Sequence, residues 1–240
     1  MKTLITSLTV THVLAGIIAL LVGIIPMVVQ KGNRLHNRAG LVYVWCMIVV
    51  AVTAILLCTL QPFRMMRLFL SGIAILSFYF CMSGWRATKQ KKGQTTLFDR
   101  GLVYTALGCG LAMALFGTYL LVLNGFQFLP IVFTFFGLLL TRFGVQDVQQ
   151  MRQPTEKMHW FFQHFTRMGA SYIATFTAAA VTNQRLLTPA DAPEWVATAV
   201  WIAPSILGGM MIGRTVAYYK RKFAPTVGAD KGLRVAQQPD

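Results

Sequence analysis

The feature that most constrains this chain is a series of apolar segments, each long enough to cross a lipid bilayer. Spanning the hydrocarbon core takes about 20 apolar residues. Seven segments meet that length, at 4–29, 40–60, 67–85, 101–123, 127–147, 158–182 and 194–213. Backbone groups in lipid have to be hydrogen-bonded within the segment, which favours helices. The sequence therefore predicts an all-α, multi-pass membrane bundle of about seven transmembrane helices.

The composition agrees with this class. Of 240 residues, 55% are hydrophobic and 12% are charged, whereas a soluble domain carries about 25% charged residues. The formal net charge of +15 is also found in nucleic-acid-binding proteins. Here most Lys and Arg lie between apolar segments rather than on one face, so the predicted partner is the lipid bilayer and not nucleic acid.

The distribution of basic residues predicts the orientation of the bundle. Alternate connections hold 15 Lys and Arg on one side and 4 on the other. The positive-inside rule then gives an outside N-terminus and a cytoplasmic C-terminus, as for a protein of the bacterial inner membrane. The first run, 4–29, is too long for a cleavable signal and is predicted as a helix. We expect a bundle over 1–219 and a basic, disordered cytoplasmic tail over 220–240.

Ionisable side chains within the sixth apolar segment are the strongest indication of a functional site. Such groups are costly in hydrocarbon, so His164 and Arg167 are predicted to face the bundle interior. No acidic residue is expected at the depth of Arg167, which leaves water, carbonyls, a cofactor propionate or a bound anion as its partner. Ser171 and Thr175 continue the stripe, and with Tyr172 they could line a substrate path. Hydroxyls of this kind also serve packing between helices.

The other three histidines differ in the depth predicted for them. His36 lies in the basic connection before the second segment, on the same side as His164. The two form a candidate metal or haem site, because neutral imidazole is a common ligand of both. His159 lies at the predicted inner interface, and His12 in the outer half of the first segment. Both are kept as weaker cofactor-binding candidates, and His12 could equally hydrogen-bond within the bundle.

Several familiar motifs are missing from the sequence. The four cysteines form no CxxC pair and lie within apolar runs, where free Cys behaves as a small hydrophobe. The chain has no CxxCH haem-attachment motif, no P-loop, no GxGxxG and no GxSxG. No enzyme class follows from such a sequence. The acidic residues are predicted at the interfaces, which argues against the carboxylate relays of many proton-coupled transporters.

Two blocks of this sequence resemble a family of bacterial inner-membrane proteins catalogued as domain of unknown function 2306. The first block consists of His12, Gly16, Gly23, Lys31-Gly32, His36, Gly40 and Tyr43. The second consists of His164, Arg167-Met168, Ser171-Tyr172-Ile173-Ala174-Thr175 and Thr177-Ala178. The resemblance implies a bundle of seven to eight helices with functional histidines, and it implies no established activity. Phe161-Phe162 stands where the family has a Trp-Met pair, so either His159 or His164 could be the family's histidine; we take His164.

Three functions remain open from the sequence. The leading hypothesis is a membrane redox or metal protein that binds b-type haem or a transition metal through histidines. The second is a transporter of a small anion or other solute, with His164, Arg167 and the hydroxyl stripe along its path. The third is an accessory membrane subunit whose polar residues serve only assembly.

Overall fold

The computed structural model describes residues 1–152, 158–187, 189 and 193–223, and among these residues it contains helices and no strand. The helices in chain order are α1 Lys2–Val22, α2 Ile25–Val28, α3 Arg34–Thr59, α4 Met65–Ala87, α5 Leu97–Asn124, α6 Phe128–Arg152, α7 His159–Thr182, α8 Gln184–Leu187 and α9 Glu194–Phe223. Seven are long, and α2 and α8 are single turns. The predicted all-α helix bundle is confirmed.

Within the described residues, six stretches are long and apolar enough to cross a membrane: α1 continued through α2, then α3, α4, α5, α6 and α9. Helix α7 is as long as the others but is not among the six, since its polar side chains lower its hydropathy. The chain is a multi-pass membrane protein. Helix α9 continues to Phe223, so the first four residues of the predicted tail are helical. Residues 224–240, and with them the rest of that tail, lie outside the described residues.

The connections carry local signals that end one helix and start the next. The Asn33 side chain accepts a hydrogen bond of 2.7 Å from the backbone N–H of His36 and thereby caps α3. Thr96 and Asp99 form a reciprocal capping box at the start of α5. Gly125 ends α5 with a φ of +73°, a conformation that glycine adopts without strain. These caps place His36 in the first turn of α3.

Helices α5 and α6 form the tightest pair in the bundle, and glycines make the close approach possible. A Cβ added to Gly117 would lie 2.4 Å from the backbone nitrogen of Thr134. One added to Gly137 would lie 2.3 Å from the backbone nitrogen of Ala114. Small residues at helix interfaces let backbones come together in lipid, where packing replaces the hydrophobic effect. The pair therefore forms a closely packed wall of the bundle.

Helix α4 lies between two clusters of buried side chains. The larger cluster joins α4, α5, α6 and α9 and is rich in aromatic rings: Phe69, Tyr79, Phe80, Phe133, Phe136 and Trp201. The smaller cluster joins α1, α3 and α4, with α7 packed against it: Ala19, Tyr43, Val44, Met47, Cys81 and Met82. Helix α7 packs against α1, α4 and α9. Its inward faces thus meet both clusters.

The first apolar segment is broken into α1 and α2 at Gly23. A Cβ on Gly23 would lie 2.7 Å from ring carbons of Tyr172, so only glycine lets that ring lie against the break. The Tyr172 hydroxyl donates to the carbonyl of Leu20 at 3.0 Å. Lys31 Nζ donates to the carbonyls of Pro26 and Met27, each at 2.7 Å. Side chains therefore satisfy carbonyls on both sides of the break, as irregular backbone at membrane depth requires.

Candidate functional site

Helices α3 and α7 run in the same direction and are joined by polar contacts. Two of these contacts join residues 128 apart in sequence, and a third joins residues 132 apart. Tyr43 Oη lies 2.8 Å from Ser171 Oγ and 3.2 Å from Thr175 Oγ1. Thr175 Oγ1 also lies 3.3 Å from the sulfur of Met47. Tyr43, Ser171 and Thr175 are all buried. The hydroxyls predicted to line a substrate path therefore bond to a neighbouring helix instead of facing an open channel.

His36 and His164 form a further pair, also 128 residues apart in sequence and seven residues before Tyr43 and Ser171 on their helices. Their ring centroids lie 6.3 Å apart with the ring planes at 63°. His36 Nδ1 lies 3.1 Å from the Pro26 carbonyl, and His164 Nδ1 lies 2.9 Å from the Gly84 carbonyl. A carbonyl oxygen only accepts, so each Nδ1 carries the hydrogen. In the neutral rings the lone pair is then on Nε2.

Arg167 belongs to a different network, on the side of α7 that faces α4 and α6. Its Nη2 donates to a carboxylate oxygen of Asp147, and the Tyr79 hydroxyl donates to the other carboxylate oxygen. The Arg167 and Asp147 side chains are each 3% exposed. The guanidinium lies 4.2 Å from the ring centroid of Phe143 and within 6 Å of those of Tyr79 and Phe80, which adds cation–π attraction.

This ion pair corrects two statements made from the sequence. Arg167 does have an acidic partner at its depth, and Asp147 is buried rather than interfacial. The predicted fifth segment ends at 147, whereas α6 continues to Arg152. Asp147 therefore lies more than one turn inside the helix. The haem propionate or bound anion expected beside Arg167 is replaced by a side chain of the protein itself.

One nitrogen of this network lacks a hydrogen-bond partner. Among the buried side-chain nitrogen and oxygen atoms of the described residues, Arg167 Nη1 makes no hydrogen bond. The aromatic rings around the guanidinium give a physical reason, since N–H groups can rest against aromatic faces. In this network, Tyr79 and Asp147 are the residues that sequence reasoning missed. If the fifth apolar segment had been predicted to end five residues later, at Arg152, the sequence would have placed Asp147 inside the bundle.

His12 lies apart from the pair and joins α1 to α3. Its Nδ1 lies 3.1 Å from the Val50 carbonyl and 2.9 Å from Thr53 Oγ1. Thr53 Oγ1 is in turn 2.6 Å from the Val49 carbonyl. The sequence left His12 as either a cofactor ligand or a structural residue. This environment favours the structural role, because the half-buried ring hydrogen-bonds the Val50 carbonyl and so links α1 to α3.

His159 lies on the wall of a polar cleft, which we call the basic-end cleft. The cleft has a volume of about 330 Å³ and lies between the ends of α4, α5, α6, α7 and α9 on the side of the basic connections. Its polar lining residues are Ser83, Arg86, Gln90, Thr95, Asp99, Gln146, Asp147, Gln149, Gln150, His159, Gln163 and Lys220. His36 and His164 are not among its lining residues. The structure therefore separates His159 from the histidine pair.

The set of side chains that could bind a metal ion together with the histidine pair is small. In the part of the chain that the structure describes, no group of three or more His, Cys, Asp or Glu side chains could hold a metal ion. The four cysteines, all in helices, are free thiols. An ion between His36 and His164 would have two imidazole ligands from the protein. Met168, one turn after His164 on the same face of α7, is the nearest thioether in sequence.

Comparison of the chain with protein-family models, with curated proteins and with solved structures gives no match. The resemblance to domain of unknown function 2306 stays a prediction.

Proposed function

We propose that this membrane protein holds a transition-metal ion between His36 and His164 and acts as a metal or redox protein. The observation that carries the proposal is the pair itself. Each Nδ1 hydrogen-bonds a backbone carbonyl, Pro26 for one ring and Gly84 for the other. Metal-binding histidines typically donate their second ring N–H to a carbonyl or carboxylate, which fixes the ring and leaves the other nitrogen for the metal.

The distance between the rings supports one shared ion. With metal–nitrogen bonds of about 2 Å, two imidazoles on one ion lie about 5–6.5 Å apart, centre to centre. The centroids of His36 and His164 are 6.3 Å apart, which is near the wide end of that range and fits a wide ligand–metal–ligand angle. Two nitrogens with a thioether from Met168 would suit copper(I), since soft ligands select that ion. The ion would supply one-electron chemistry or Lewis acidity.

A b-type haem is the alternative cofactor at this pair, where His36 and His164 would hold its iron. Its support is weaker, because Arg167, expected to pair with a propionate, is bound to Asp147. The proposal of a small-anion transporter along α7 has weaker support too, since Ser171 and Thr175 bond to Tyr43 on α3. The metal ion is therefore the proposal that we carry to experiment.

The test is metal retention by the purified protein in detergent. The protein is incubated in turn with copper(I), zinc and cobalt(II), desalted, and its metal content and absorption spectrum are measured. We expect one equivalent of metal in the wild type and a loss of at least tenfold in affinity, about 1.4 kcal/mol, in His36→Ala and in His164→Ala. His159→Ala, which removes a histidine from the same helix but outside the pair, is the matched control and should retain the metal.

Each outcome decides between the proposals. A wild type that retains none of the three metals, or variants that retain as much as the wild type, would refute the site. A Soret band lost in both pair variants would assign the site to haem instead. If all variants fold, judged by size-exclusion profile, and none differs in metal or colour, the accessory-subunit hypothesis is favoured.

A further inference from the structure

Lys31 is a cation held beside the histidine pair of the proposed metal site. Its Nζ donates to the carbonyls of Pro26 and Met27, each at 2.7 Å. His36 Nδ1 donates to the same Pro26 carbonyl at 3.1 Å. One oxygen therefore holds both the ammonium and the ring, and no more than two hydrogen-bond lengths separate the two groups.

The short helix α2 explains why these carbonyls are available. Helix α2 is a single turn, Ile25–Val28, and the last carbonyls of a helix have no N–H partner from a following turn. Lys31 lies in the connection that comes next and supplies the missing donors. Asn33 then caps α3 and fixes His36 in its first turn. The local sequence thus sets the position of the ammonium relative to the imidazole.

The charge of Lys31 is not neutralised by a carboxylate of the described residues. The ion pairs in this part of the chain are Arg86–Asp99 and Arg167–Asp147, and neither includes Lys31. Its hydrogen-bond partners are neutral carbonyl oxygens. A metal ion at the histidine pair would therefore be repelled by a neighbouring positive charge.

A fixed positive charge discriminates between metal ions by their own charge. Coulomb repulsion is proportional to the charge of the ion, so a divalent ion is repelled twice as strongly as a monovalent one. At about 10 Å and an effective dielectric constant of about 20–40, one extra unit of charge on the ion weakens its binding about four- to sixteenfold. Two imidazoles with the thioether of Met168 already suit copper(I). Repulsion of the divalent competitor adds to that preference.

We infer that Lys31 makes the proposed metal site selective for the monovalent ion copper(I) over divalent zinc. The inference rests on the proposed function, because it concerns the ion that His36 and His164 would hold. Lys31 is a positioning residue and not a ligand. It acts through its charge and through the Pro26 carbonyl that it shares with His36.

The experiment measures the affinities of copper(I) and zinc for the full chain in detergent, each by competition with a chromophoric chelator. Low ionic strength is used, because salt screens an exposed ammonium. Lys31→Gln removes the charge and keeps an N–H donor, and it should lower the ratio of copper(I) to zinc affinity about four- to sixteenfold. Lys31→Arg keeps the charge and should retain the wild-type ratio.

Arg38→Gln is the matched control. Arg38 is an exposed cation of the same basic stretch, but it lies two residues after His36 and so on the opposite side of α3. Its removal should leave the ratio unchanged. A fall in the ratio that occurs in Lys31→Gln and not in Lys31→Arg or Arg38→Gln, at an unchanged size-exclusion profile, supports the inference.

Failure of the inference can be told from failure of the proposed function. If the wild type holds metal that His36→Ala loses, but Lys31→Gln keeps the wild-type ratio, only the inference is overturned. An equal fall in Lys31→Arg or in Arg38→Gln overturns it as well, since the charge beside the pair would then not be the cause. A wild type that holds neither ion refutes the proposed function, and the inference with it.

Discussion

The buried ion pair between Arg167 and Asp147 gives the sharpest prediction about stability. We consider the single variants Arg167→Met and Asp147→Asn and the double variant that carries both changes. Each side chain of the pair is 3% exposed, so removing one partner leaves the other charge without compensation in a region that excludes water. Breaking a buried pair in this way costs about 3–5 kcal/mol, whereas replacing both charges is often neutral.

The expected shift in the unfolding midpoint follows from this cost. For a chain of this size, about 1 kcal/mol corresponds to 2–4 °C. Each single variant should therefore lower the midpoint by roughly 6–20 °C, and the double variant should recover much of the loss. The assay is thermal unfolding in detergent, followed by tryptophan fluorescence and by size-exclusion recovery after heating.

A matched control separates burial from charge. Arg142→Gln removes an arginine from the exposed face of α6, and exposed changes of this kind usually stay within about 0.5 kcal/mol. The reasoning is wrong if Asp147→Asn melts within 2 °C of the wild type, taken as about 0.5–1 kcal/mol. It is equally wrong if the double variant loses as much as the two single variants together, since the coupling between the charges would then be absent.

Three further predictions concern other parts of the bundle. His12→Ala should cost about 1–3 kcal/mol, since it leaves partner groups on α3 unsatisfied, and should leave metal retention unchanged; a loss of metal at unchanged stability would make His12 a ligand. Gly137→Leu should destabilise the α5–α6 pair by about 1–3 kcal/mol or more, whereas Gly108→Ala, which has open space around it, should be neutral or stabilising by the same thermal assay. A reporter fused after Gln94 should be located in the cytoplasm and one fused after Thr188 in the periplasm, because connections rich in Lys and Arg stay on the cytoplasmic side. A periplasmic location of the Gln94 fusion would show that the predicted orientation is reversed.

Helical periodicity predicted one face of α7 well. The sequence placed His164, Arg167, Ser171 and Thr175 on one stripe. His164, Ser171 and Thr175 do face α3, whereas Arg167 faces Asp147 on α6. Residues at these spacings must share a face whatever the helix packs against. The sequence also placed His36 and His164 on the same side of the membrane, and the structure brings their rings to 6.3 Å because α3 and α7 are neighbours. The sequence did not identify Tyr43 and Met47 as the partners, because periodicity says nothing about which helix is opposite.

Depth in the membrane was the quantity that the sequence predicted poorly. Hydropathy ended the fifth segment at 147, and the actual helix ends at Arg152. Five residues correspond to about 7.5 Å of helix, enough to move a carboxylate from the interface to the interior. Asp147 was therefore assigned to the wrong environment, and the argument against a buried carboxylate failed with it. Charged residues near the end of an apolar run should be considered possible partners of any cation within the bundle.

Helix α7 takes part in two networks, the histidine pair and the Arg167–Asp147 ion pair, and substitutions in the two test different properties of the protein. His164 and Arg167 are one turn apart, yet one faces His36 and the other faces Asp147. Helix α4 supports both, because its Gly84 carbonyl accepts from His164 and its Tyr79 hydroxyl binds Asp147. A Cβ on Gly84 would lie 2.9 Å from the Met168 nitrogen, so any larger residue there would separate α4 from α7 and disturb both networks together. Loss of function on changing Arg167 or Gly84 therefore reports on folding. Only changes at His36 and His164 that preserve the fold would test the proposed metal site.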